Sequence, residues 1–203
     1  FPDTFAAWQE TKQWFIDNLW DGITIQEIVA LFGGHTVGRS HADASGYISR
    51  WTTNINVLNS EYYFNLVTGP LPFMGQADFR QKKVKDLYLC NDPAFFGDIC
   101  DGFDGEGREL NQWVIGPNTT CCPAVVDIIL QLNTDMSLAL DIEPHLNRTT
   151  GIVNCTAPTP QQFNGFPFVP PAPNACGFQQ ETSQLVNQYA LNNSRFLNDF
   201  AQV

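Results

Sequence analysis

Apolar residues recur at helical spacing at the start of the chain. Phe5, Trp8, Trp14, Phe15 and Leu19 put one strongly apolar face along residues 5 to 19 and predict a helix there. A second helix carries its own start signal. Thr24 and Glu27 form a capping-box pattern, and Ile25, Ile28, Val29, Leu31 and Phe32 follow it. Gly33 and Gly34 either end this helix or let it approach a neighbour closely. From Trp51 the chain runs through a polar loop into a short helix bearing Tyr62, Tyr63 and Phe64. Near the end, Leu185, Tyr189, Phe196 and Phe200 recur on one side of a predicted final helix.

Between these segments the pattern changes. Residues 69 to 130 contain Gly69, Pro70, Pro72, four cysteines and a run of carboxylates at Asp98, Asp101, Asp104, Glu106 and Glu109. They read as a loop-rich, disulfide-braced insertion. The carboxylates, separated by Gly102, Gly105 and Gly107, do not have EF-hand spacing and read as a solvated acidic loop. Residues 155 to 176 form a proline-rich stretch between two cysteines, which predicts a pinned irregular loop rather than a linker. No internal repeat or low-complexity tract is present.

Composition narrows the function classes. The chain has 203 residues, 43% of them hydrophobic, which is enough for one ordinary core. Lys and Arg number 10 against 21 Asp and Glu, a formal net charge of −11. Nucleic-acid binding is not expected, because it needs a cationic face that releases counterions. The one basic cluster, Arg80, Lys82, Lys83 and Lys85, reads as a solvated turn. No apolar stretch reaches the ~20 residues that span a bilayer. The first residue is Phe1 rather than methionine, so a signal peptide, a larger precursor or missing upstream sequence is expected to account for the start.

Six cysteines, Cys90, Cys100, Cys121, Cys122, Cys155 and Cys176, form no C-x-x-C pair and allow 15 pairings. N-x-S/T sequons at Asn118, Asn147, Asn154 and Asn192 accompany them. An even cysteine count with candidate glycosylation sites nearby predicts disulfides, a glycoprotein and a secreted or extracellular location. Zinc is not expected, because no ligand spacing is present.

Chemistry-bearing residues are few. Of the three histidines, His145 beside Pro144 reads as structural. His35 follows two glycines at the end of an apolar helix, where backbone can approach a bulky flat group. The gap from His35 to His41 does not put both on one helical face, so shared zinc ligation is not expected. There is no nucleophile elbow, P-loop or dinucleotide fingerprint.

These residues also carry a resemblance. The run IVALFGGHTVGRSHADASG at 28 to 46 resembles the proximal-histidine segment of the plant-type haem peroxidases. Its continuation, YISRWTTNINVLNSEYYFNLVTG to Gly69, is similar to the intracellular branch, the ascorbate and cytochrome c peroxidases. LNTDMSLALD at 132 to 141, LNNSRFLNDFAQ at 191 to 202 and the opening FPDT fit in the same order. The resemblance implies a mainly α fold: the proximal half of a peroxidase, spanning residues 1 to 203. Its helical core would lie at about 1–68, 131–141 and 180–203, with insertions at about 69–130 and 142–179.

Carried over by position, the resemblance implies haem b as cofactor, with His35 as the axial ligand of the iron. Asp135 would accept the other ring N–H of His35, giving the imidazole anionic character and lowering the reduction potential. Trp51 would lie against the histidine and hydrogen-bond the same aspartate, so Asp135 and Trp51 are the candidate catalytic residues. His41 would contact a haem propionate. Thr36, Thr52, Asn54, Val57 and Asn59 match a loop that binds a potassium or calcium ion in the family. Its last position is commonly aspartate and is Asn59 here, which weakens the case for calcium and leaves potassium or an empty site. Ala44 stands where ascorbate peroxidases have a substrate-binding arginine, so ascorbate at that haem edge is not implied.

Two readings follow. In the first, the chain is the proximal half of a secreted peroxidase that reduces hydrogen peroxide with an unidentified reductant. The residues before His35 contain no histidine and no arginine, so the distal catalytic pair would come from a second chain or an upstream segment. In the second, the chain is a structural subunit of an extracellular coat, filament or matrix built on a peroxidase fold, with weak or no activity.

Overall fold

A computed structural model describes residues 3–68, 78–83, 109–116, 129–155 and 176–203. Among these the core is mainly helical. Helices α1 (Trp8–Asn18) and α2 (Ile25–Phe32) form where the apolar spacing places them. The capping box is present in full: Thr24 Oγ1 accepts the Glu27 amide, and Glu27 Oε2 accepts the Thr24 amide at 2.7 Å. Such a cap contributes about 1 kcal/mol to helix stability. Ile28, Val29 and Ala30 are fully buried. Helix α2 runs directly into one 3-10 turn at Gly33–Thr36.

A short helix α3 (Ala42–Ser45) follows, then α4 (Glu61–Thr68), α5 (Asn133–Ala139), α6 (Ser183–Leu191) and α7 (Asn193–Phe200). The end of the chain is therefore two helices rather than one. Asn192 separates them, and its side-chain oxygen accepts the Arg195 amide as the cap of α7. The aromatic face read from the sequence nevertheless forms: Tyr63, Tyr189 and Phe196 meet with ring centroids 5.0 to 5.8 Å apart.

The larger difference lies in the segment read as loop-rich. Strands β1 (Arg39–Ser40), β2 (Ser49–Arg50), β3 (Asp78–Lys83), β4 (Asn111–Gly116) and β5 (Ile129–Gln131) form one sheet, in the order β1-β2-β5-β4-β3. The pair β2–β5 is parallel and the other pairs are antiparallel. Arg80, Lys82 and Lys83 thus lie in a strand, not a turn; the pairing of β3 with β4 from Asp78↔Gly116 to Lys83↔Asn111 holds them extended. Lys85 and the carboxylates from Asp98 to Glu106 lie outside the described residues.

Small two-stranded sheets complete the chain: β6 (Leu140–Asp141) with β9 (Gly177–Phe178), and β7 (Leu146–Asn147) with β8 (Ile152–Val153). Cys155 and Cys176 form a disulfide with a Cα–Cα distance of 5.1 Å, and residues 156–175 between them, read as a pinned irregular loop, lie outside the described residues. Cys90, Cys100, Cys121 and Cys122 lie outside the described residues, as does Asn118. No helix among the described residues is long and apolar enough to cross a membrane.

Candidate functional site

The site is built where α2 gives way to the 3-10 turn carrying His35. Gly33 makes this turn compact: a Cβ there would lie 2.3 Å from the Phe196 ring and 2.7 Å from Tyr63 Oη. Tyr63 Oη in turn donates to the Val29 carbonyl at 2.5 Å, tying α4 to the end of α2. His35 is thereby held on a backbone that packs directly against α4 and α7.

Asp135 reaches His35 from 100 residues further along the sequence. It stands at the third position of α5, and its Oδ2 folds back to accept the Leu132 amide at 2.7 Å. Its Oδ1 accepts from His35 Nδ1 at 2.8 Å and from Tyr62 Oη at 2.6 Å. The carboxylate is fully buried, so these donors replace its hydration. Burial, with the Asp135 charge and hydrogen bond added to it, pushes the Tyr62 hydroxyl well above the usual tyrosine range. Tyr62 therefore stays a donor.

Trp51 enters just after β2, where Ser49 takes a φ of 104°, a left-handed conformation unusual outside glycine. The Trp51 and His35 rings stack with centroids 4.2 Å apart and an interplanar angle of 16°. Phe32 and Tyr62 meet the imidazole edge-on at 6.0 and 5.7 Å. The hydrogen bond implied between Trp51 and Asp135 is not formed. Among the described residues the buried indole Nε1 has no hydrogen-bond partner, and Asp135 is bonded instead by His35, Tyr62 and the Leu132 amide. Tyr62 is the residue that sequence reasoning missed. Its signal was available, since a tyrosine on the inner face of a helix needs a partner for its hydroxyl.

The remaining candidates lie around this centre. His41 is exposed, and its Nε2 accepts from Arg39 Nε at 3.3 Å. Thr36 and Thr52 are buried and linked: Thr36 Oγ1 donates to the Asn59 carbonyl and Thr52 Oγ1 to the Thr36 carbonyl, each at 2.8 Å. Val57 donates its amide to the Asn54 carbonyl at 3.4 Å, and Asn59 Oδ1 accepts the Glu61 amide at the start of α4. The loop is thus closed by its own hydrogen bonds, with no carboxylate at the Asn59 position, and no step is assigned to a cation there. Among the described residues no group of three or more His, Cys, Asp or Glu is arranged to hold a metal ion. His145 sits in a 3-10 turn away from His35 in sequence, its amide bonded to the Ile142 carbonyl. Asn147, Asn154 and Asn192 are exposed.

A haem fits the residues present at His35. The Asp135 carboxylate accepts only, so it fixes the proton on Nδ1. His35 Nε2 is left without a hydrogen bond on a ring side chain that is 34% exposed. A neutral imidazole oriented by a buried carboxylate is the donor that haem iron takes.

Fold and site together define a helical protein organised around an oriented imidazole–carboxylate couple. Sequence comparison shows what the chain is similar to. The chain is 28% identical to L-ascorbate peroxidase 3 of Arabidopsis thaliana over 149 residues, 68% of this chain and 49% of that protein. It is 31% identical over 108 residues to the cytosolic L-ascorbate peroxidase 2 of Oryza sativa subsp. japonica, covering 49% of this chain and 42% of the relative. Against the mitochondrial cytochrome c peroxidase of Neurospora crassa it is 36% identical over 96 residues, covering 46% and 25%. Over these stretches the chain is similar to the ascorbate and cytochrome c peroxidases. No family model matches it. The chain spans half or less of the length of these relatives.

The comparison corrects one expectation. A secreted or extracellular location was read from cysteines and sequons, but the matched relatives are named as cytosolic and mitochondrial proteins. Sequons of three residues arise by chance, and the single disulfide described here fixes a loop without fixing a compartment.

Proposed function

We propose that this chain forms the histidine-bearing side of the haem pocket of a hydrogen-peroxide-reducing peroxidase. The observation that carries the reading is the His35 ring itself: stacked on Trp51, tied through Nδ1 to buried Asp135, and bare at Nε2. Haem bound there supplies the electrons that reduce peroxide, and a donor substrate restores them. His35 would hold the iron, Asp135 would keep the proton on Nδ1, and Trp51 and Phe32 would fix the plane of the imidazole. His41, exposed and hydrogen-bonded to Arg39, would meet an anionic group such as a propionate.

Residues 1 to 34 contain no histidine and no arginine, so the distal histidine and arginine of this reading would come from other polypeptide. A second chain or another segment of the same protein serves equally in this reading. The test is absorption spectroscopy of the intact protein reconstituted with haem, alongside His35→Ala. A Soret band that moves or disappears in the variant supports the assignment. A wild-type protein that takes up no haem would sink it.

A further inference from the structure

Asp135 receives three hydrogen bonds, and two of them fall on one atom. His35 Nδ1 lies 2.8 Å and Tyr62 Oη 2.6 Å from Oδ1, while the Leu132 amide occupies Oδ2. Tyr62 and Asp135 are both fully buried, so water does not dilute either bond. Trp51, stacked on the imidazole, donates nothing to the carboxylate. Among the described residues, the only side-chain donor that shares Asp135 with His35 is therefore the Tyr62 hydroxyl.

We propose that Tyr62 is a positioning residue that sets how strongly Asp135 pulls on the His35 N–H, and through it the reduction potential of the iron that His35 would hold. The inference rests on the haem reading above. An oxygen that accepts from two donors is a weaker acceptor for each, because each bond draws on the same electron density. A weaker pull leaves the imidazole more nearly neutral and a poorer donor to the metal, which favours ferrous over ferric iron. Tyr62 thus holds the potential above the value that the Asp135–His35 couple alone would give. The backbone amide on Oδ2 meanwhile fixes the carboxylate plane, so the two donors cannot be relieved by rotation.

The test compares the haem-loaded intact protein with Tyr62→Phe, Asp135→Asn and the double variant. Phenylalanine keeps the ring against His35 and Tyr63 and removes only the hydroxyl. Tyr62→Phe is expected to move the ferric/ferrous equilibrium about tenfold toward ferric, a fall of about 59 mV in midpoint potential. The iron–histidine stretching frequency of the ferrous form should rise with it. In the Asp135→Asn background the same substitution should move both quantities less, because the uncharged amide oxygen is the weaker acceptor. An unmoved potential and frequency in Tyr62→Phe overturns the inference, and so does an equal shift in both backgrounds. The single comparison decides even where Asp135→Asn does not fold. Absence of a Soret band in the wild type overturns the haem reading and this inference together; a Soret band with an unmoved potential overturns this inference alone.

Discussion

Gly33 has backbone angles that any residue adopts, with φ at −60°, so its size rather than its freedom is what the position requires. The Phe196 ring and the Tyr63 hydroxyl occupy the space a Cβ would need. Both belong to a packed aromatic cluster, with Tyr63 also anchored on the Val29 carbonyl, so neither side chain has an open direction in which to move. Gly33→Ala should therefore destabilise the fold by about 1–3 kcal/mol, the usual cost of overpacking a filled core. A urea titration would read this as a lower midpoint at unchanged slope. An unchanged midpoint would mean that α7 yields, and that His35 is not held as rigidly as the contacts suggest.

Among the elements, those that announce themselves locally were legible in the sequence. Helix α2 has its cap at Thr24 and Glu27 and its apolar face in one continuous run, and it forms over Ile25–Phe32. The five-stranded sheet was not legible. Two of its strands have two residues each, and β2 pairs with β5 from a segment far along the chain, so neither has a local period to detect. The break at Asn192 was hidden for a related reason: the aromatic spacing runs through it, while the cap that separates α6 from α7 is a single side-chain bond. In the site, the resemblance named His35, Asp135 and Trp51, but which donor satisfies Asp135 depends on tertiary packing. The loop closed by Cys155 and Cys176 is the other feature that spacing alone left open, since six cysteines admit many pairings. Their separation of 21 residues makes the bond worth about 2–4 kcal/mol by loop closure. Replacing both cysteines by serine should lower the unfolding free energy by that amount, and reduction of the wild type should reproduce it. Equal stability of reduced and oxidised protein would show that β6 and β9 hold the base of the loop unaided.

Across the whole molecule, the start and end of the chain are joined at one carboxylate. Glu181, just before α6, accepts from Lys12 Nζ at 2.7 Å, from Trp8 Nε1 at 3.1 Å and from Gln9 Nε2 at 3.1 Å, all three on α1. The Lys12 hydrogen bond, then that of Trp8, pulls its carboxyl from an ordinary value of 4.5 down to about 2. A carboxyl depressed by folding contributes stability that is complete above pH 4.5 and is lost as the pH falls toward 2. The group is partly exposed, so solvent screening limits its contribution to about 1 kcal/mol or less. The formal charge of −11 makes the acid response of the whole protein a sum over many carboxylates, and self-repulsion relaxes as they protonate. Comparing wild type with Glu181→Gln removes that background, because the other carboxylates are common to both. The wild type should be the more stable at pH 6, and the difference should shrink through pH 4.5 and vanish near pH 2. High salt at pH 6 should narrow it as well. A difference that stays constant down to pH 2 would place the effect of Glu181 in packing against Trp8 rather than in charge, and α1 would then be held to α6 by shape alone.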